Sequence, residues 1–172
     1  MPGNRRGPRL PSFKGRDDLF DAVNVQLLRE LLADSRVPTS ELARRVGMSA
    51  PAVKERVQRL EAAGVIAAYR TELDPGSLGF PVTAFVRVRP VPGGLPKIAQ
   101  LAKELPAVTE CYRITGEDCF IAKVHAESIE QLEGSLDRFL AYGNTTTSIV
   151  VSVPVPSRPL PLPRVETPDA RP

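Results

Sequence analysis

Residues 37–66, VPTSELARRVGMSAPAVKERVQRLEAAGVI, constrain the fold more than any other stretch of the chain. Helical spacing runs from Thr39 to about Val46, stops at Gly47-Met48-Ser49, and resumes from about Ala50 to Ala63. Gly47 supplies the left-handed stop that a short helix needs. Ser49 is a good N-cap, and Pro51 falls in the first turn, where its missing N–H does little harm. Val53, Val57 and Leu60 recur at i, i+4 and i+7 and form a stripe to bury. Two short helices around a glycine turn make a helix-turn-helix, whose second helix can lie in the DNA major groove.

The flanking residues extend this unit over 19–74. Asp21 caps a helix over residues 22–33, with Val23, Leu27, Leu28, Leu31 and Leu32 on one stripe. Thr39 caps the second helix and Glu41 stands in its first turn, with Leu42, Ala43 and Val46 facing inward. Gly64 ends the third helix. VIAAYRTEL (65–73) then reads as a strand or wing, broken by Asp74-Pro75-Gly76. The expectation is a winged helix-turn-helix.

Residues 75–153 change period. PVTAFVRVRP (81–90) alternates as a strand, and LPKIAQLAKEL (95–105) is an amphipathic helix presenting Ile98, Leu101, Ala102 and Leu105. VTECYRIT (108–115) and DCFIAKVHA (118–126) are strands joined at Thr115-Gly116-Glu117. SIEQLEGSLDRFLAY (128–142) is a helix with Ile129, Leu132, Leu136, Phe139 and Leu140 in register, and TTTSIVVSV (145–153) closes the series as a strand. The order β-α-β-β-α-β is ferredoxin-like, so the whole chain is α+β. Both helices cover one sheet face. The other carries Thr83, Phe85, Cys111, Ile121 and Val151, and a partly apolar open face implies a homodimer with sheets packed together.

The ends differ in composition. Residues 1–18 hold five basic side chains against two acidic ones, a basic flexible arm that can follow the phosphate backbone. Residues 154–172 hold seven prolines and read as an extended tail. No run of 18 apolar residues and no leader-like apolar segment is present, so a soluble cytoplasmic protein is expected, with no membrane partner. Cys111 and Cys119 lack metal-clip spacing and His125 is the only histidine, so neither a metal nor a cofactor is expected. The two cysteines are read as small, buried or half-buried strand residues.

Taken in order, SELARRVGMSAPAVKERVQRLEAAGVI, LDPGSLGF, ITGEDCFIAKV and TTTSIVV resemble the Lrp/AsnC family of feast/famine regulators, over about Leu19 to Val153. The resemblance implies an N-terminal DNA-binding domain linked to an α/β effector and assembly domain. It also implies a dimer or ring of dimers, and often an amino-acid effector. Pro38 departs from the pattern, standing where members often place a capping Ser or Asn.

On the third helix, the side away from the stripe presents Ser49, Ala52, Lys54, Glu55, Gln58 and Arg59, with Arg56 towards its edge. Ser49 and Ala52 permit close approach, Lys54 can reach guanine or phosphate, Gln58 can bond adenine, and Arg59 can meet phosphate. Arg56 matches a family position and can instead brace the domain. Arg44 and Arg45 are candidate phosphate contacts. Thr115, Gly116, Glu117 and Asp118 match the family's effector loop. Asp118 offers an acceptor for an ammonium and the backbone near Gly116 offers donors for a carboxylate, with Thr146 and Ser148 completing the site across a subunit interface. These residues predict a sequence-specific transcriptional regulator that reads a pseudo-palindromic operator in double-stranded DNA. The competing classes are an Lrp-like haem-precursor decarboxylase, for which a lone histidine offers little, and an effector-binding assembly protein without DNA binding.

Overall fold

The computed structural model describes residues 19–164, so the expected basic arm and the last part of the tail lie outside the described residues. The described chain divides into two compact units: residues 19–70 together with 157–164, and residues 71–156.

The first unit is helical: α1 (Ala22–Ala33), α2 (Thr39–Val46) and α3 (Ala50–Ala62). The Asp21 carboxylate accepts the Asn24 N–H at 2.7 Å and starts α1. Ser49 accepts the Ala52 N–H and starts α3. Between them, Gly47 turns the chain at φ 69°, a conformation costly to any residue with a Cβ. Leu27, Leu42, Ala43 and Val53 form the shared core, with Val57 packed at its edge. Three expectations change. Pro38, not Thr39, is the N-cap of α2; it has no side-chain acceptor, and its carbonyl takes the Glu41 and Leu42 N–H groups. Leu32 lies half in solvent, while Val25 on α1 is buried. No strand forms between Val65 and Leu73: the segment pairs in no ladder of the described chain. The expected wing strand is therefore absent among the described residues.

The second unit has β1 (Val82–Pro90), α4 (Leu95–Glu104), β2 (Val108–Arg113), β3 (Phe120–Ala126), α5 (Ile129–Leu140) and β4 (Gly143–Ile149). The strands form one antiparallel sheet in the order β2-β3-β1-β4, as a split β-α-β fold requires. Ala84, Val86, Val88, Ala122 and Val124 face α4 and α5 and pack on Ile98, Leu101, Leu132 and Phe139. On α5, Ile129 and Leu140 are exposed rather than buried, and Ser135 takes the inward position, its hydroxyl donating to the Gln131 carbonyl at 3.1 Å.

The open sheet face carries Thr83 and Phe85, and pairs Ser148–Phe85–Lys123–Glu110 in one row and Thr146–Arg87–Ile121–Tyr112 in the next. Cys111 is not on it. A bulge between Val108 and Glu110 reverses the alternation of β2, so Cys111 lies opposite Ala122 on the helix side of the edge strand. Cys111 is exposed there, and Cys119 is half-buried just before β3. Val151 is not on the open face either: Thr146 and Ser148 pair with Arg87 and Phe85 there, so Val151 has the opposite parity, and β4 ends at Ile149.

Candidate nucleic-acid interface and effector turn

A helix that buries one stripe must show the other. Val53 and Leu60 are fully buried, and the opposite side of α3 exposes Lys54, Glu55, Gln58 and Arg59, with Ser49 exposed at its start and Ala52 half-buried. Among the described residues, Lys54, Gln58 and Arg59 make no ion pair or side-chain hydrogen bond. They are thus available to an external partner.

Arg56 is placed differently. It is three residues after Val53 and four before Leu60, and so on the inward side. Its Nη1 donates to Asp21 Oδ2 at 2.6 Å and to Asn24 Oδ1 at 3.0 Å, both belonging to the start of α1. Desolvation alone would raise the Asp21 carboxyl pKa. The Asn24 N–H and the Arg56 guanidinium outweigh it and hold the group below its ordinary value.

The arginines of α2 are also tied. Arg44 and Arg45 both donate to Glu41, at 2.7–2.9 Å, and Arg45 reaches Glu30 at 2.6 Å. Hydrogen bonds from Arg44 and then Arg45 bring the Glu41 carboxyl down to about 2. These two cations are exposed yet locally neutralised.

The turn between β2 and β3 brings Thr115, Gly116, Glu117 and Asp118 together. Gly116 takes φ 112°, and the Ile114 N–H bonds the Cys119 carbonyl at 2.9 Å across the turn. Arg87 and Arg89 approach it from β1: Arg89 bonds Glu117, and the two guanidiniums lie 3.9 and 3.8 Å from Asp118. Thr146 and Ser148 lie on the same sheet face but on β4, with β1 between them and the turn. One protomer therefore does not gather all six expected effector residues at one point. Sequence reasoning passed over Arg87 and Arg89, although their alternation in FVRVR marks them as facing one way. The sole histidine, His125, lies on the open face with Nδ1 3.0 Å from Thr83 Oγ1; desolvation, then Lys123, lower its pKa. Among the described residues no group of three or more His, Cys, Asp or Glu is placed to hold a metal, and no helix is long and apolar enough to cross a membrane.

Residues 20–61 match the AsnC-type helix-turn-helix domain, and residues 83–160 match the Lrp/AsnC ligand binding domain. The HTH-type transcriptional regulator LrpC of Bacillus subtilis is 34% identical over 77% of this chain and 92% of its own length. LrpA of Mycobacterium tuberculosis is 36% identical over 76% of this chain and 88% of its own. Among solved structures, B. subtilis LrpC superposes with a TM-score of 0.73, covering 77% of this chain and 95% of that one. The feast or famine regulatory protein of M. tuberculosis complexed with L-methionine superposes with a TM-score of 0.76 at 32% identity, covering 86% and 99%.

Proposed function

Because the chain belongs to the Lrp/AsnC family of helix-turn-helix transcriptional regulators, we propose that its outward α3 surface reads a pseudo-palindromic operator and that residues 71–156 pair two such readers. The single observation that carries this is that Lys54, Gln58 and Arg59, on an exposed helix face, have no side-chain partner among the described residues. Ser49 and Ala52 let the helix start approach the bases, Lys54 and Gln58 reach base edges, Glu55 accepts from a cytosine amino group, and Arg59 meets phosphate. Arg44 and Arg45 add phosphate contacts only where DNA competes with Glu41.

The homodimer forms through the open sheet face, whose central Phe85 is 40% exposed in the single chain. A free amino acid is the effector class. The α-ammonium binds at Asp118, the α-carboxylate binds backbone N–H groups near Gly116, and Thr146 and Ser148 come from the partner. The L-methionine complex of the M. tuberculosis relative supports that class. Relatives named as transcriptional regulators favour regulation over catalysis. A role on chromosomal DNA implies a cytoplasmic location.

The test is selection from a random-sequence duplex library by the purified full chain, repeated with each of the common amino acids. We expect enrichment of two related half-sites about one helical turn (~34 Å) or a multiple apart, with retention altered by at least one amino acid. A library that emerges unenriched, with no salt-sensitive retention, would turn the reading to an assembly protein without DNA binding.

A further inference from the structure

We propose that Asp21 and Asn24 are positioning residues for DNA recognition: they clasp Arg56 and thereby fix the rotation of α3, so that Arg56 serves the reading face without touching DNA. This rests on α3 being the reading helix.

Apolar packing alone leaves a helix some freedom to roll. Val53 and Leu60 anchor α3, and Val57 lies at the margin of the core. A roll by one residue position is about 100° and would exchange the side chains aimed at base edges for those aimed at phosphate. The clasp opposes that roll with directional bonds. Asp21 uses both carboxylate oxygens: Oδ1 accepts the Asn24 N–H that starts α1, and Oδ2 accepts from Arg56. Asn24 is 5% exposed and its amide is divided in the same way, Oδ1 accepting from Arg56 and Nδ2 donating to the Leu19 carbonyl at 3.3 Å. One cluster therefore sets the start of α1 and the roll of α3 together, across 35 residues of sequence. Arg56 directly follows Lys54 and Glu55 and precedes Gln58 and Arg59, so restraint at its side chain is transmitted to all four.

Asp21→Asn separates this role from simple stability, because Asn is about as good an N-cap as Asp but cannot offer a charge to Arg56. Arg56→Gln removes the other partner. Each variant, checked for wild-type helix content, is titrated with the duplex that the wild type enriches from a random library and with an unrelated duplex, over a range of salt. We expect both variants to lose roughly tenfold affinity for the enriched duplex, the scale of one impaired base contact. Affinity for the unrelated duplex stays within about twofold, and the salt slope is unchanged because no phosphate contact is lost. If Arg56→Gln weakens both duplexes alike and lowers the slope by about one, Arg56 is a phosphate contact and the proposal fails. It also fails if Asp21→Asn matches the wild type on the enriched duplex. A wild type that prefers no duplex overturns the DNA reading itself, and the clasp's role with it. If Arg56→Gln does not fold, Asp21→Asn and the salt slope of Arg56→Lys decide the matter.

Discussion

The open sheet face of residues 71–156 and the outward face of α3 are both exposed and charged, but their charges are disposed in opposite ways. On the sheet, Lys123 lies 3.5 Å from Glu110, Arg89 bonds Glu117, and Arg87 and Arg89 flank Asp118. On α3, Lys54 and Arg59 have no carboxylate partner among the described residues. A face whose charges answer one another across strands is nearly neutral and, with Phe85 at its middle, suits a second protein surface. Unanswered cations need an external polyanion, and duplex DNA offers about one charge per 1.7 Å of axis. The arginines of α2 fall between these cases, exposed yet tied to Glu41 and Glu30.

Each side of that contrast can be broken. Phe85→Asp puts a charge at the centre of the sheet face. We expect the proposed homodimer to weaken by roughly a hundredfold or more, as for loss of a central aromatic anchor, read by sedimentation across concentration. Operator affinity should fall with it. Asp118→Asn removes the proposed charged acceptor for an effector ammonium while leaving assembly intact. Amino-acid affinity should drop by about tenfold or more, the worth of one charge-assisted hydrogen bond, as measured by calorimetry. The smallest expected effect sharpens the contrast instead of breaking it. Glu41→Gln releases Arg44 and Arg45, and affinity for unrelated duplex should rise a few-fold with a steeper salt dependence. Acid does not imitate that variant under ordinary conditions. The Glu41 carboxyl is depressed to about 2 in the fold, so its pairing is complete above the ordinary carboxylate range and is lost only as pH falls through about 2. DNA binding between pH 5 and 8 should therefore show no contribution from it.

Much of the architecture was legible in the sequence because periodicity reports burial locally. Val53, Val57 and Leu60 located α3, and the β-α-β-β-α-β order followed from where alternation gives way to helical spacing. Two misreadings share a cause: both depended on strand pairing with a partner distant in sequence. A bulge opposite β3 decided which side Cys111 takes, and residues 65–73 pair in no ladder among the described residues. At the site, exposure of Lys54 and Arg59 followed from helix geometry. The Asp21–Arg56 clasp needed α1 and α3 to be packed before it became visible, although the 53/56/60 spacing already places Arg56 on the inward side. The approach of Arg87 and Arg89 to Asp118 likewise required the pairing of β1 with β3.

The most direct test is the salt dependence of binding to the enriched duplex for the wild type and for the double variant Lys54→Ala with Arg59→Ala, with folding checked by circular dichroism. If α3 is the reading helix, the double variant binds more weakly at every salt concentration, and its log–log slope is shallower by about 0.9 for the one phosphate neutralisation lost with Arg59. Identical affinity and slope in the folded double variant would contradict DNA reading by this face.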